Sequence, residues 1–501
     1  MINRITWKQS AIFVLFSLIY IAAGKFGLSL AEINPSISTV WAPTGIALAA
    51  LLYFGIEFWP AVLIGAFIVN VTTTGDITSS AIIAIGNAAE ALLATFLINK
   101  FAGGRFFYDR AVNVKMFVFF SVIATAVSAT VGILALSTSD FDSWTQTSQA
   151  WFGWWLGDLG AAIILTPSLL LIADTKLKIY RGVQALERLL FIISLVTVCY
   201  LVYGNVLENH PMGFLLIPLL VWAGLRFTQR EAANSTLLIA VIAIIATYQG
   251  FGPFVKTYPV DTHVMLLGYL IVIAITTLFL ASTVAERNRS KIKLSQAYEH
   301  ALEGWSKALD LRDKETEGHT LRVAELTVKL AEKVGVSRRE QAYIRRGALL
   351  HDIGKMAIPD NVLYKPGPLS EEEWIIMRKH PLYATQFLEG FEYSDTIKDI
   401  PYCHHEKFDG TGYPRGLKGK DIPICARIFA IADVWDAMRS DRPYRSSLND
   451  KEAIEHMLSL SGTHFDPDIL KVFLEMIGTE MLEPQRQSIK SRFWLRVGLG
   501  G

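Results

Sequence analysis

Long apolar runs alternate with short polar segments over the first 285 residues of the chain. This pattern predicts a bundle of transmembrane helices, and because several runs are short, we expect eight to ten helices rather than a fixed number. The first run is too long for the core of a signal peptide, so we expect it to be kept as a span. The ten runs lie near 11–31, 40–55, 58–73, 80–98, 116–137, 151–173, 189–207, 213–225, 233–249 and 263–284.

Basic residues are distributed unequally between the segments that join these runs. If all ten cross and the N-terminus is cytoplasmic, the outer segments contain only Lys256, whereas the inner segments contain Arg4, Lys8, Lys100, Arg105, Arg110, Lys115, Lys176, Lys178, Arg181, Arg188, Arg226 and Arg230. Basic residues concentrate on the cytoplasmic side of membrane proteins. We therefore expect a multi-pass protein of the bacterial inner membrane, with its N-terminus and everything after residue 285 in the cytoplasm.

A few polar side chains interrupt the apolar runs, namely Lys25, Asn70, Asn87, Glu90 and Asp158. Ionisable groups inside a bilayer are costly and usually face a partner or a cavity. For Glu90 and Asp158 the sequence leaves two interpretations open, a ligand or proton site within the bundle, or polar contacts between helices. For Lys25, a side chain that extends to the membrane interface is favoured.

The pattern changes at about residue 286, where Arg287, Arg289, Lys291 and Lys293 follow the last apolar run. Apolar residues then recur at heptad spacing, as Leu294, Tyr298, Ala301, Trp305 and Ala308. Such spacing is typical of a coiled-coil seam, although two heptads also fit an amphipathic helix packed on its own domain. We predict a signalling helix over 286–312 and expect a homodimer.

Residues 305–485 show the periodicity of helices, with no stretch that alternates long enough to predict a strand. Amphipathic runs lie near 316–334, 338–351, 371–389, 394–405, 424–440 and 450–461. Ser370 with Glu373 forms a predicted capping box, and Asn449 a predicted N-cap. The tail, 486–501, is basic and could contact the membrane surface or fray. The predicted fold class is therefore all-α, a polytopic transmembrane bundle followed by a cytoplasmic all-helical domain.

Composition agrees with this division. Hydrophobic residues make up 52% of the chain and charged residues only 19%, which is typical of a protein with membrane spans. The net charge of +1 argues against binding to a nucleic-acid polymer. Cys199, Cys403 and Cys425 lack the spacing of a paired motif; Cys199 lies in an apolar run, and the other two suit a reducing cytosol.

The second half concentrates side chains that bind metal ions. Its candidate residues are Glu315, His319, His351, Asp352, Lys355, His380, His404, His405 and Asp433. Each has an ordinary explanation alone, such as a helix pair or a solvated charge, but the set predicts two or three divalent transition-metal ions. Mixed imidazole and carboxylate ligands suit Fe or Mn. Paired metals assist in-line phosphoryl displacement, and Lys355 could stabilise the charge that develops.

The segment after His404 and His405 must turn sharply, because Asp409-Gly410 and Gly412 precede Pro414. By itself it could be a surface turn. Beside two candidate ligands, it predicts a loop that borders a binding site.

The first half resembles the MASE-type membrane-associated sensor domains of bacterial signalling proteins. The resemblance rests on the segments 41–49 (WAPTGIALA), 59–66 (WPAVLIGA) and 155–160 (WLGDLG) and covers roughly residues 10–285 of a predicted transmembrane sensory domain over 1–285. It implies signal input, with a sensory ligand that the sequence does not identify.

The second half resembles the HD-GYP subgroup of the HD phosphohydrolase superfamily. The motifs are His351-Asp352-Ile353-Gly354-Lys355, the run from His404 to Pro414, and 440–445 (SDRPYR). The resemblance implies hydrolysis of cyclic di-GMP to pGpG and, in some members, on to GMP. It implies that His319, His351, Asp352, His380, His404, His405 and Asp433 bind metal, with Asp352 bridging and Glu315 supporting a third ion. It also places Gly412, Tyr413, Pro414, Asp436, Arg442 and Arg445 near the nucleotide.

Three functions follow as hypotheses. The first is a membrane-anchored, signal-regulated cyclic di-GMP phosphodiesterase in which Lys355 and Asp352 are catalytic. The second is a non-catalytic cyclic di-GMP receptor that signals through protein partners. The third is a transporter-like membrane protein with a regulatory domain, which the few charges within the spans disfavour.

Overall fold

A computed structural model describes residues 7–29, 41–136, 144–176, 179–204, 206, 212–255, 259–313, 318–389, 396–440 and 447–478. The chain divides into two compact units, residues 1–292 and 293–501. Each unit has its own buried apolar core.

The first unit is built from helices that coincide with the ten apolar runs. They are α1 (Trp7–Ser29), α2 (Ala42–Phe54), α3 (Trp59–Thr74), α4 (Ile77–Phe101), α5 (Ala111–Leu136), α6 (Trp144–Asp174), α7 (Val183–Tyr203), α8 (Leu216–Arg226), α9 (Gln229–Tyr248) and α10 (Pro259–Asp313). Among the described residues, eight helical segments are long and apolar enough to cross a membrane, and α2 and Met212–Arg226 are shorter. By length and composition, the number of candidate spans therefore equals the lower limit of the predicted eight to ten.

Local signals explain where several of these helices begin. The Asp76 carboxylate accepts hydrogen bonds from the backbone N–H groups of Thr78 and Ser79 at the start of α4. Thr228 and Glu231 form a capping box at the start of α9. These side chains satisfy donors that the first turn of a helix leaves without an intrahelical partner.

Polar contacts hold one end of the bundle together. The contacts are Tyr108 to Asp174 (2.7 Å), Arg110 to Glu286 (3.6 Å), Arg289 to Asp109 (2.8 Å), Arg188 to Glu231 (2.6 Å) and Arg226 to Glu187 (2.9 Å). They join the segment between α4 and α5, the end of α6, the start of α7, the end of α8, the start of α9 and the middle of α10. The basic segments between α4 and α5, α6 and α7, and α8 and α9, which were predicted to share one membrane side, therefore meet at one end of this unit.

The described residues of the second unit form helices joined by turns and loops, with no strand, as predicted, apart from an isolated bridge between Ser461 and Phe465. Its helices are α11 (His319–Val334), α12 (Arg338–Leu349), α13 (Asp360–Leu363), α14 (Glu371–Met377), α15 (His380–Phe387), α16 (Thr396–Cys403), α17 (Ile424–Arg439) and α18 (Asp450–Ser459), followed by a helix over 467–478. Buried apolar residues from α11, α12, α15, α17 and the last helix form its core.

The predicted caps are confirmed. Ser370 and Glu373 form a capping box at α14, and Asn449 caps α18 in the same way with Glu452. The amphipathic run over 371–389 is two helices, because the chain turns just before Pro381, which lies in the first turn of α15.

The connector is the continuous second part of α10 rather than a separate element. Leu302, Ser306 and Leu309 are the residues that it buries. The predicted heptad positions lie mostly on another face, where Leu294 is 73% and Trp305 41% exposed. This helix therefore packs on its own domain through one face and leaves much of the predicted seam at the surface.

Candidate metal centre

The histidines and Asp352 lie at or just beyond the ends of helices, whereas Asp433 lies within α17. His351 and Asp352 follow α12 and precede a 3₁₀ turn at Ile353–Ala357. This turn lies against α15 so closely that a Cβ atom on Gly354 would be 1.8 Å from the carbonyl oxygen of His380. Glycine at this position therefore allows two ligand-bearing segments to come into contact.

Seven candidate ligands form two adjacent groups. Asp352, His380, His404 and His405 offer ligand atoms within 4.8 Å of one another, and so do His319, His351 and Asp433. The groups meet where His351 Nε2 lies 3.1 Å from Asp352 Oδ2. Asp352 Oδ1 faces the other way, 3.3 Å from His380 Nε2 and 3.5 Å from His404 Nε2. One carboxylate thus lies between both groups.

Four of the histidines are oriented by a hydrogen bond at Nδ1. The acceptors are the backbone carbonyls of Ala348 for His351 (2.9 Å), Met377 for His380 (2.9 Å) and Pro401 for His404 (3.1 Å), and the carboxylate of Asp436 for His319 (2.7 Å). Carbonyl and carboxylate oxygens only accept, so Nδ1 must donate in each case. The lone pair of Nε2 is then directed into the site, which is the tautomer that a metal ion requires.

Two observations show that these residues fit a cation. His380 Nε2 and His404 Nε2 lie only 3.2 Å apart, although both nitrogens carry lone pairs if Nδ1 donates. Asp352 Oδ1 is buried and has no hydrogen-bond partner within the described protein. Lone pairs that converge on a buried carboxylate oxygen repel one another unless positive charge lies between them.

Two histidines of the first group, His380 and His405, favour their neutral form. Burial lowers the pKa of His380 to about 4. Burial, reinforced by His404 and His380, holds the pKa of His405 well below its ordinary value. In the second group, burial acts to lower the pKa of His351, but the neighbouring Asp352 and Asp433 raise it overall. A metal ion must therefore displace a proton that is held more readily on His351 than on His380 or His405.

The carboxylates favour their ionised form. Burial would raise the pKa of Asp352, but Lys355 and His351 outweigh burial and hold it well below its usual range. Burial is likewise outweighed at Asp433, where His319 and His351 lower the pKa. Both side chains are thus in the state that binds a divalent ion.

Lys355 is held between two carboxylates. Its Nζ lies 2.7 Å from Asp352 Oδ2 and 2.5 Å from Oδ2 of Asp313, the last residue of α10. The preceding residue, Arg312, donates to the carbonyl oxygens of Met356 (2.7 Å) and Ile358 (3.2 Å). The end of α10 therefore contacts the candidate catalytic lysine and the segment that follows it.

Asp436 orients the imidazole ring of His319 by a hydrogen bond. Its Oδ2 accepts from His319 Nδ1 at 2.7 Å, and its two oxygens accept from Arg322 Nε and Nη2, both at 2.9 Å. Burial would raise the pKa of Asp436, but His319 and Arg322 lower it to about 2. Within the described protein its contacts are therefore to a candidate ligand, an arginine and the Ser440 hydroxyl, and the predicted contact with the nucleotide stays a prediction.

The loop after His405 folds back over that histidine. The ring of Tyr413 stacks on His405 with centroids 4.7 Å apart, and the Tyr413 N–H donates to the His405 carbonyl at 3.2 Å. A Cβ atom on Gly412 would lie 2.3 Å from the backbone nitrogen of Lys407, so only glycine fits there. The buried Glu406 carboxylate accepts from the backbone N–H groups of the two residues at 415 (2.8 Å) and 417 (3.0 Å).

Each half of the chain matches the model of a known protein family. The family model of MASE1 matches residues 12–288, more than half of the chain. This chain belongs to the MASE1 family. The MASE1 segment contains α1 to α9 and most of the apolar part of α10, so the expected membrane-associated sensor domain is confirmed.

A second family model, that of the HD domain, matches residues 304–469 of this MASE1 protein. All seven clustered ligands lie within those residues. The sequence expectation of an all-helical HD domain after the membrane bundle is therefore also confirmed.

Relatives of the MASE1 protein match about a third of it. A cyclic di-GMP phosphodiesterase of Thermotoga maritima is 42% identical over 170 residues, which are 33% of this chain and 46% of the relative. A 3′3′-cGAMP-specific phosphodiesterase 2 of Vibrio cholerae is 42% identical over 170 residues, which are 34% of this chain and 33% of the relative. The chain thus spans less than half the length of these relatives. The solved structure of Bd1817, an HDG"Y"P protein of Bdellovibrio bacteriovorus, is 26% identical over 32% of this chain and 51% of that one, with a TM-score of 0.27.

Three predicted site residues, Glu315, Arg442 and Arg445, lie outside the described residues. Conversely, sequence reasoning assigned no role to Arg322, Asp313 or Glu406. Arg322 could have been found from its spacing, since it follows His319 by three residues on one helix and so shares its face. Asp313 and Glu406 act through contacts that no local spacing indicates.

Proposed function

We propose that this chain is a membrane-anchored, signal-regulated phosphodiesterase that hydrolyses cyclic di-GMP to pGpG and, in a second step, to GMP. The observation that carries the proposal is the junction of two ligand groups at His351 and Asp352. Two ions held a few ångströms apart can clamp the attacking and leaving oxygens of a phosphodiester. An HD domain whose relatives include named cyclic di-GMP phosphodiesterases supports the same activity.

The ligand set favours iron or manganese. It consists of imidazole nitrogens and carboxylate oxygens, and among the described residues no thiolate joins either group. Such donors suit Fe or Mn, whereas thiolates favour zinc or iron–sulfur clusters. Asp352, His380, His404 and His405 would hold one ion, and His319, His351 and Asp433 would hold another, within the predicted count of two or three ions.

Divalent ions in this position would supply a nucleophile from water and neutralise charge on the phosphoryl oxygens. The protein would orient the reaction. The Lys355 ammonium group, fixed by Asp352 and Asp313, stabilises negative charge as water attacks phosphorus and the bond to the 3′ oxygen breaks. Tyr413 offers an aromatic face beside His405, and Arg378 lies 5.7 Å from the centre of that ring, which suits a purine and a phosphate at the loop.

The test is a hydrolysis assay of the full chain in nanodiscs, loaded with Fe²⁺ or Mn²⁺ under reducing conditions. We expect linear product from cyclic di-GMP, and loss of both activity and bound metal in His351→Ala and Asp352→Ala. His456→Ala removes an exposed histidine away from the ligand groups and serves as the matched control. Full activity in Asp352→Ala would refute the proposed centre.

The same assay should include 3′3′-cGAMP as a second substrate. Some relatives of this chain are named as specific for 3′3′-cGAMP, and others are named as cyclic di-GMP phosphodiesterases. Preferential cleavage of 3′3′-cGAMP would keep the enzyme class and change the substrate. Binding of metal and nucleotide without any linear product would instead favour the receptor hypothesis.

We propose an inner-membrane location with the HD domain in the cytoplasm. The basic segments between the helices lie at the end of the bundle that also contains Glu286 and Arg289 of α10. Positive charge favours the cytoplasmic side. Because the start of α7 and the end of α8 both lie at this end, the short α8 returns the chain across the bilayer. Reporter fusions at 75 and 104, on either side of α4, test this location and should report opposite sides of the membrane.

We further propose that α10 transmits the signal and forms a homodimer contact. Its last two residues contact Lys355 and the segment after it, and its predicted heptad face remains largely exposed. Replacing Ala301 by cysteine tests the dimer, because residues at a seam should cross-link between chains. A cysteine at the buried Leu309 is the control and should not cross-link.

A further inference from the structure

Two acidic side chains lie at mid-membrane depth in the first unit. Glu90 is near the middle of α4 and Asp158 near the middle of α6, and they are 3% and 0% exposed. Thr44 of α2 donates to Asp158 Oδ1 at 2.9 Å. Thr44 and Ser128 of α5 both lie within hydrogen-bonding reach of the two carboxyl groups. Four helices therefore contribute to one polar site.

Several polar atoms at this site have no hydrogen-bond partner in the described protein. They are Glu90 Oε1, Asp158 Oδ2, Ser121 Oγ and Asn87 Nδ2, and all four side chains are at least nine-tenths buried. Glu90, Ser121 and Asn87 line one small cavity of about 10 Å³. Such a space holds about one water-sized occupant. Buried polar atoms are nearly always paired in native proteins, so the unpaired Glu90 and Ser121 oxygens at this cavity point to a ligand.

The charge of the site defines the kind of ligand. Two adjacent carboxylates in a low-dielectric interior repel each other and cannot both remain ionised without positive charge nearby. The residues that line the cavity, all within the described part of the chain, include no lysine or arginine. Tyr20 of α1, a titratable group, also faces Glu90 and Asp158. The first turn of α2, which contains Thr44, contributes only the partial positive charge of a helix N-terminus.

We propose that Glu90 and Asp158 form a binding site for one small monovalent cation, either a sodium-sized ion or a proton shared by the two carboxyl groups. Carboxylate and hydroxyl oxygens are hard ligands that suit such ions. A divalent ion would need six or more oxygens or several waters of its own, for which the cavity has no room. An anion is excluded by the charge of the site, and an organic ligand by the volume.

The test uses the full chain in nanodiscs, with thermal unfolding of the membrane unit followed by tryptophan fluorescence. Sodium chloride replaces choline chloride at constant ionic strength, and pH is varied separately in choline chloride. If the occupant is sodium, the transition temperature should rise with Na⁺ in the natural protein and stay flat in Glu90→Gln and Asp158→Asn. Thr95→Val alters an equally buried polar residue of α4 and should keep the response.

If the occupant is a proton, Na⁺ has no effect, and infrared spectroscopy should show a protonated carboxyl band at neutral pH that Glu90→Gln or Asp158→Asn removes. If neither variant folds, Ser121→Ala keeps both carboxyls and should raise the half-saturating Na⁺ concentration severalfold, or shift the protonated carboxyl band if a proton is bound. The absence of both a Na⁺ response and such a band would overturn the proposal. None of these measurements depends on the activity of the HD domain.

Discussion

Replacing Asp436 by asparagine should weaken metal binding without removing a ligand. The carboxylate offers two oxygens and accepts one bond from His319 and two from Arg322. An amide of the same shape offers one oxygen and turns an N–H group toward the other donor. Losing a hydrogen bond to a charged group costs about 1.5–3 kcal/mol. Partners that orient metal-binding histidines typically change metal affinity by about 10–100-fold, or about 1.4–2.8 kcal/mol, so the two estimates agree.

The measurement is phosphodiesterase activity of the full chain against Mn²⁺ concentration, at saturating cyclic di-GMP. Asp436→Asn should shift the half-saturating Mn²⁺ concentration about 10–100-fold upward, while the activity at saturating metal recovers to within a few-fold of the natural protein. Arg322→Gln should shift it less, because the bond to His319 remains. Asp421→Asn, an exposed carboxylate of the same unit, is the control. An unchanged metal dependence with a raised KM would refute this reasoning and make Asp436 a nucleotide contact.

Three further substitutions test other contacts. Asp313→Asn removes one of the two anions that fix Lys355, so kcat should fall several-fold with metal content unchanged, whereas metal loss would contradict this role. Glu406→Gln should cost the loop about 1.5–3 kcal/mol and raise KM for cyclic di-GMP in steady-state kinetics, and an unaltered KM would count against it. Gly354→Ala should displace His380 and lower metal content, while Gly304→Ala, where a methyl group meets nothing within 4 Å, should not.

Local and periodic features of the sequence predicted the architecture well. Apolar runs of bilayer length become helices because the backbone must satisfy its own hydrogen bonds in lipid. Caps such as Ser370 and Asn449 are visible because donor and acceptor are three residues apart. The break before Pro381 also has a local cause, because a proline restricts the backbone conformation of the residue before it.

The candidate ligands were also found, because histidines and carboxylates at those spacings belong to a recognisable pattern. Their partners were found less well. Arg322 reaches Asp436 across 114 residues of sequence, and Asp313 reaches Lys355 across 42. Which carboxylate supports a histidine and which faces the nucleotide depends on packing between distant helices. Asp436 was therefore identified as part of the site, while the contacts it makes required the fold.

The hydrogen bonds that anchor the histidines have a consequence for how the protein acquires its metal. Because Ala348, Met377 and Pro401 fix three imidazole rings through their carbonyl groups, folding has already ordered the side chains that an ion needs. The entropy lost on ordering these side chains is thus offset by burial of the apolar core during folding, and metal binding does not have to offset it. A chain stripped by a chelator should remain folded and should regain activity on simple addition of Fe²⁺ or Mn²⁺, unlike zinc fingers, which unfold without their ion.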